Sequence, residues 1–340
     1  MNAQPCTDGC GRPVRSSTTA DIAAVIIGRN EGERLVACLA SLDQRFARVI
    51  YVDSGSMDGS IAAARRAGAE VVSLDTDRPF TAARARNSGI DALKSGAVPS
   101  FVQFLDGDCI LDPDWVDAAL AFLSQNPMVA VVCGRRRERF PENSVYNRLC
   151  DAEWNTPVGE ARACGGDALM RWDALMAVGG YNPTLIAGEE PEMCLRMRRL
   201  GWKIWRLDTE MTLHDAAMLR FGQFWQRARR GGYAYAQGAA MYGQAPERHD
   251  IAEVRRTVLW AVVIPLVTVL GWVAIGPVAL LALVLYPLQV VRIARRNGST
   301  RTAWEQAILL TVGKFAEAQG VLDYLWRRWR ARDAELIEYK

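Results

Sequence analysis

Histidine is nearly absent from this chain, with only His214 and His249 among 340 residues. Chemistry built on clustered imidazoles is therefore excluded, and a site must be assembled mainly from carboxylates and guanidiniums. The eight cysteines include no matched pairs at a spacing of two, which argues against zinc and leaves free thiols in a reducing compartment as the simple expectation. The first twenty residues contain no apolar run, so no secretory signal is expected there and residues 1–20 read as a disordered tail. A formal net charge of +3 is too small to call for a nucleic-acid partner. Internal repeats are lacking. So is a glycine-rich phosphate loop: the first apolar run continues instead as Gly28-Arg-Asn-Glu31.

What is present is the composition of an ordinary folded core, with 50% hydrophobic and 23% charged residues. Ile22 to Ile27 is a short β-branched run suited to a strand buried on both faces. Glu31 to Leu42 has apolar residues at helical spacing. Arg48 to Val52 forms a second expected strand, closed by the turn-rich Asp53-Ser-Gly-Ser-Met-Asp-Gly59. A helix over Ser60 to Gly68, a strand over Glu70 to Leu74, a helix over Thr81 to Ser95 and a strand over Ser100 to Leu105 come next. This alternation predicts an α/β, doubly wound, mostly parallel sheet with ligands at the carboxyl ends of its strands. Further on, helices are expected over Pro113 to Gln125, Gly188 to Leu200 and Leu219 to Tyr242, with strands over Val129 to Cys133 and Lys203 to Leu207.

Residues 257–291 carry no charged side chain. Gly276-Pro277 marks a turn in the middle, and Arg255, Arg256, Arg292, Arg295 and Arg296 flank the run. Basic residues on both flanks place both ends on the cytoplasmic side of an inner membrane, with the catalytic part facing the cytoplasm. At helical rise the run is about 50 Å long, against about 60 Å for two straight crossings. Two spans and a re-entrant hairpin both stay open. Ala303 to Arg330 adds an amphipathic helix with Trp304, Phe315, Tyr324, Trp326 and Trp329, suited to the headgroup level. Arg327, Arg328, Arg330 and Arg332 crowd its end and favour an anionic surface.

Asp106-Gly-Asp108 ends a buried strand on the ligand-binding edge, where carboxylate oxygens suit Mg²⁺ or Mn²⁺. Asp53 ends the second strand likewise, able to accept from a base imide or a ribose hydroxyl, or to cap its own turn; Asp58 fits a capping role. Arg84 and Arg86 stand near a helix start and could pair with phosphate, or lie solvated. Glu189, Glu190 and Glu192 open a helix whose dipole favours them. Glu189 and Glu190 are the candidates for a general base, and Glu192 is expected to be solvated or paired with an arginine. His214 is either a satisfied core residue or a third metal ligand.

In this order these segments resemble the family 2 glycosyltransferases of the GT-A fold. They are Ile26-Ile-Gly-Arg-Asn-Glu31, Val52-Asp-Ser-Gly-Ser-Met-Asp-Gly-Ser60, Ala85-Arg-Asn-Ser-Gly89, Leu105-Asp-Gly-Asp108, Cys164-Gly-Gly-Asp-Ala-Leu-Met-Arg171 and Gly188-Glu-Glu-Pro-Glu-Met-Cys-Leu-Arg196. The resemblance covers about residues 21–235. It implies UDP-sugar binding by Arg29, Glu31, Asp53, Arg86 and Asp106, a divalent metal on Asp108 with Asp106 assisting, and inversion with Glu190 as base. Two departures stand out. Arg29 occupies the place of an aromatic near uracil, and a glutamate replaces the aspartate of the family's Glu-Asp pair, so Glu189 and Glu190 are not ranked. The implied units are a GT-A domain over 21–245 and a membrane-associating region over 246–340, with a hydrophobic hairpin at 257–294 and an amphipathic helix at 302–331.

The combination resembles members that build exopolysaccharide on a lipid carrier, with a lipid-linked saccharide as acceptor. A polyprenyl-phosphate glycosyltransferase is the near rival, in which Arg227, Arg229 and Arg230 would meet the acceptor phosphate. From another class, a nucleotidyltransferase also uses such a sheet, but expects the phosphate loop that Gly28-Arg-Asn-Glu31 replaces. A non-catalytic scaffold is disfavoured by Asp53, Asp106, Asp108 and Glu190.

Overall fold

A computed structural model describes residues 21–78 and 80–330; the expected tail at 1–20 and Arg332 lie outside them. The first half forms as its pattern dictates. β1 (Ile22–Gly28), β2 (Phe46–Asp53), β3 (Glu70–Ser73) and β4 (Phe101–Asp106) are joined by α1 (Glu33–Ala40), α2 (Ser60–Arg66) and α3 (Ala82–Lys94). The strands pair in parallel in the order β3-β2-β1-β4. Ile22 to Ile26 are all buried, because helices cover both faces of a parallel sheet. Register aligns the strand ends: Gly28 pairs with Asp53 and Ile27 with Asp106, so the three carboxyl ends finish on one edge.

The second half is mixed. β5 (Cys109–Leu111), α4 (Trp115–Gln125), β6 (Val129–Glu138), α5 (Val145–Glu153), β7 (Gly159–Ala161), β8 (Ala168–Arg171), α6 (Trp172–Ala177), α7 (Glu189–Arg199) and β9 (Lys203–His214) complete a nine-stranded sheet. β8 inserts antiparallel between β4 and β6, whereas β6 and β9 are parallel. The strand expected to stop at Leu207 runs on to His214. Its polar segment at Asp208, Thr209 and Glu210 coincides with register shifts against β6, and a bulge of this kind tolerates residues that read as loop.

Beyond the sheet, α8 (Phe221–Tyr242) and α12 (Arg301–Trp329) pack together closely. A Cβ built on Gly320 would fall 1.9 Å from the Arg229 carbonyl oxygen, so only glycine allows the approach. Between them run α9 (Ile251–Val258), a π-turn over Leu259–Val263, α10 (Ile264–Ile275), a 3₁₀ segment over Gly276–Val284 and α11 (Leu285–Arg296). Gly276, with φ of 75°, reverses the chain. The two arms meet where the Tyr286 hydroxyl donates to the Trp260 carbonyl at 2.6 Å. Val273 is 81% exposed and Leu281 67%, an apolar hairpin surface that the other described residues leave uncovered.

Candidate active site

The carboxyl edge of the sheet opens into a cleft of about 1090 Å³, lined among others by Arg29, Glu31, Arg86, Asp106, Asp108, Glu189, Glu190 and His214. Eight of the expected site residues therefore converge from β1, α3, the turn after β4, α7 and β9. Antiparallel pairing of Cys109 with His214 brings the Asp108 carboxylate to the end of β9. There His214 Nε2 stands 3.2 Å from Asp108 Oδ1. Burial first, and then the positive Arg136, push the His214 imidazole down to about 3. It is neutral at physiological pH, as a metal ligand must be. A buried carboxylate oxygen beside a neutral imidazole nitrogen is a donor set that fits Mn²⁺ or Mg²⁺.

Asp106 has neighbours of another kind. Arg86 Nη2 donates to its Oδ1 at 3.0 Å and Arg136 Nη2 to its Oδ2 at 2.8 Å. Burial opposes its ionisation, but Arg86 and then Arg136 outweigh that and hold the carboxyl well below the usual range. A carboxylate already held by two guanidiniums is a poor third metal ligand, and Asp106 groups with Cys109 and Asp167 rather than with Asp108 and His214. Arg86, expected to meet phosphate, lines the cleft and is also engaged internally. Its Nη1 lies 2.9 Å from Glu189 and 2.7 Å from Glu190, so one buried cation touches three carboxyl groups, of which Asp106 also has Arg136. Gly166 makes room for this: a Cβ there would stand 2.6 Å from Arg86 Nη2 and 2.9 Å from Asp106 Oδ2.

Glu190 is the more accessible of the two glutamates, its side chain 13% exposed against 6% for Glu189. Burial, and next the charge of Glu189, raise the Glu190 carboxyl to about 7 against the pull of Arg86. A base that titrates near neutrality is suited to accepting a hydroxyl proton. Glu192, by contrast, points inward and pairs with Arg196 at 2.8 Å.

Asp53 closes β2 as expected, yet its carboxylate is turned inward and 1% exposed. Its Oδ2 accepts from the Gly55 and Ser56 amides at 3.0 and 2.8 Å, and its Oδ1 from the Tyr51 hydroxyl at 3.1 Å. Ser54 lines the cleft beside it. Asp58 caps its turn by accepting from Ser60 N at 2.9 Å. Arg29 lies over the Phe80 ring at 5.0 Å, so an aromatic does stand at the cleft, supplied by the loop before α3. Glu31 is paired with Arg34 at 2.7 Å.

Sequence reasoning missed Arg136, Asp167, Trp154 and Phe80. Asp167 is fully buried, accepts from Asp106 N at 3.0 Å and from the Thr212 hydroxyl at 2.8 Å, and pairs with Arg136 at 3.2 Å. Trp154 lies under Arg136 and 4.5 Å from the His214 ring. Arg136 lies beyond Cys133, the expected end of the strand, in a run of three arginines that reads as solvated, and only the Cys164-Gly-Gly-Asp167 turn gave any signal for Asp167.

Residues 23–170 match the sequence model of glycosyl transferase family 2. The chain is 28% identical over 287 residues to the succinoglycan biosynthesis protein ExoA of Rhizobium meliloti, covering 78% of this chain and 83% of that one. It is 27% identical over 202 residues to the glycosyltransferase AglE of Haloferax volcanii, covering 56% and 65% respectively. Among solved structures, the mannosyltransferase PcManGT of Pyrobaculum calidifontis, in complex with GDP-Man and Mn²⁺, superposes with a TM-score of 0.57 at 18% identity. The match covers 90% of this chain and 87% of that one, which places the fold among GT-A proteins.

Proposed function

Because the chain belongs to glycosyl transferase family 2, we propose that it transfers a sugar, with inversion, from a UDP-sugar to a lipid-linked saccharide in glycan assembly. The observation that carries this reading is a single cleft with a near-neutral carboxyl, Glu190, and a buried Asp108–His214 pair. The ExoA likeness supports an exopolysaccharide setting, and the Arg29–Phe80 stack supports a flat nucleobase at the cleft. Mg²⁺ or Mn²⁺ held by Asp108 and His214 would neutralise charge on the departing diphosphate.

The chain's own residues carry the proton and hold the geometry. Glu190 takes the proton of the acceptor hydroxyl as that oxygen bonds to the anomeric carbon. The bond from that carbon to the diphosphate breaks on the opposite face, giving inversion and UDP. Arg86 pairs with both glutamates and with Asp106, and so fixes the three carboxyl groups relative to one another. In this reading Asp53 shapes the turn that presents Ser54, rather than meeting the base directly.

Membrane attachment rests on the hairpin. Ile251–Arg296 has a mean hydropathy of 2.5 and is only 11% buried over its most apolar window. Nine residues of the second arm, Gly276–Val284, are 3₁₀, and the longer rise of that form brings both uncharged arms to about 28 Å, close to the hydrocarbon thickness. This favours two crossings of the inner membrane with the catalytic cleft on the cytoplasmic side.

The test is UDP release from a panel of donors with lipid-linked acceptor extracts, with and without EDTA. UDP formed only with extract, and lost with EDTA, is the expected result. Pyrophosphate in place of UDP would overturn it in favour of nucleotidyl transfer. Arg227 and Arg230 line the same cleft and favour the rival acceptor, polyprenyl phosphate; full turnover with that lipid alone would select it.

A further inference from the structure

The cleft does not end at the catalytic carboxylates. Its far walls are two helix faces: Phe224, Arg227, Ala228, Gly231 and Tyr235 on α8, and Leu309, Leu310, Gly313 and Glu317 on α12. The spacings put each set on one side of its helix. Leu149 of α5 closes the third side. Four of them belong to an apolar cluster separate from the main core, where Leu149 and Phe224 are buried and Leu309 and Leu310 are half-buried. Trp154 joins the cluster to the catalytic end, packing on it while its ring stands 4.5 Å from His214. Gly313 holds the slot open. A Cβ there would meet Phe224 Cζ at 3.4 Å and Ala228 Cβ at 3.9 Å, an ordinary contact, so a larger side chain would occupy the slot without striking backbone.

We propose that this slot between α5, α8 and α12 holds the proximal isoprenoid units of the acceptor's lipid carrier; this rests on the lipid-linked acceptor reading. Three features select that occupant. The slot is continuous with the cleft that contains Glu190, so an amphiphile bound along it puts its polar end at the base. Arg227 and Arg230 line the same cleft on α8 and complement an anionic phosphate link. α12 also packs against the uncharged hairpin, with the Phe315 ring tilted 5.8 Å from that of Tyr286 and Thr257 of α9 donating to Glu317. The slot is thus walled by the helix that touches the membrane arms, and a tail leaving it has an apolar surface to track along. α12 is a wall of the acceptor site, not simply an anchor.

The test uses full-length protein in detergent and geranylgeranyl diphosphate carrying a diazirine near the diphosphate end. Cross-linked peptides are mapped by mass spectrometry. Label is expected on the peptides spanning 224–235 and 309–317, and excess unlabelled geranylgeranyl diphosphate should remove it while inorganic pyrophosphate should not. Gly313→Leu should weaken that competition about tenfold, the loss expected for excluding two buried methylene groups. Ala228→Leu, which fills the slot from α8, is the second variant should the first fail to fold. UDP binding should be unchanged in both. Label confined to the hairpin arms, or label that competitor and both folded variants leave intact, overturns the slot. If labelling is as expected but no prenyl-linked saccharide is glycosylated, the slot stands and the proposed reaction fails. If such acceptors are glycosylated but the slot is unlabelled, the reverse holds.

Discussion

Glu190 and Arg86 stand 2.7 Å apart at the floor of the cleft, although 104 positions separate them in the chain (190 − 86). A carboxylate beside a guanidinium would ordinarily be a weak base. Here burial and the neighbouring Glu189 outweigh the cation and lift Glu190 to about 7.

A base works as its carboxylate, so lowering the pH below that value protonates it and removes activity. The rate should fall about tenfold for each pH unit below about 7 and level off above it. Glu190→Gln should reduce turnover by about a hundred- to ten-thousandfold and abolish that acidic limb while leaving UDP affinity intact. Glu189→Gln should lower the limb, since a neutral neighbour no longer opposes ionisation of Glu190. Steady-state rates across pH 5 to 9 check all three; an unaltered acidic limb in Glu190→Gln would remove the residue from the base role.

Removing the cation is a different matter. Arg86→Met leaves Glu189 and Glu190 side by side without their cation, while Asp106 keeps only Arg136, and stability should drop by about 3–5 kcal/mol. Urea denaturation measures it. A variant as stable as the parent would show that the three carboxyls do not depend on Arg86.

For the metal, Asp108→Ala and His214→Ala should each weaken Mn²⁺-dependent UDP binding in calorimetry. Both should cut turnover by about a hundredfold or more, consistent with the several kcal/mol a cation contributes at a phosphoryl group. Asp106→Asn should leave Mn²⁺ affinity nearly unchanged, because its oxygens serve Arg86 and Arg136. Equal loss in all three variants would return Asp106 to the ligand set.

Asp167→Ala should cost about 3 kcal/mol, since it strands the Asp106 amide, the Thr212 hydroxyl and one side of Arg136 in the interior. Thermal unfolding tests this. A melting temperature within a degree of the parent would mean water or a neighbour replaces the carboxylate.

The hairpin gives a topological prediction. A cysteine at Gly276, the reversal between the arms, should react with a membrane-impermeant maleimide only from the side opposite the catalytic cleft if both arms cross. Protection from both sides indicates a re-entrant loop.

Much of this architecture is written locally. β1 is a continuous apolar run, and β2 and β4 are interrupted only by Arg48 and Gln103 before their terminal aspartates, because strands covered on both faces show little polar side; Asp53 and Asp106 end the latter two. The same logic hid β5, β7 and β8. Strands of three or four residues are too short to express a period, and they exist only because a longer neighbour offers them hydrogen bonds.

That acidic residues gather at one edge of an α/β sheet was already implicit in the order of amino acids, since alternation of strands and helices forces the carboxyl ends to a common side. Which neighbours each acid has was decided only in three dimensions. Asp106 and Asp108 are two positions apart, yet one is held by Arg86 and Arg136 while the other faces His214. Charge balance in a buried site depends on through-space neighbours at about 3 Å, where Coulomb energy is large. Those neighbours come from β6, α3 and β9, whose meeting no local pattern encodes.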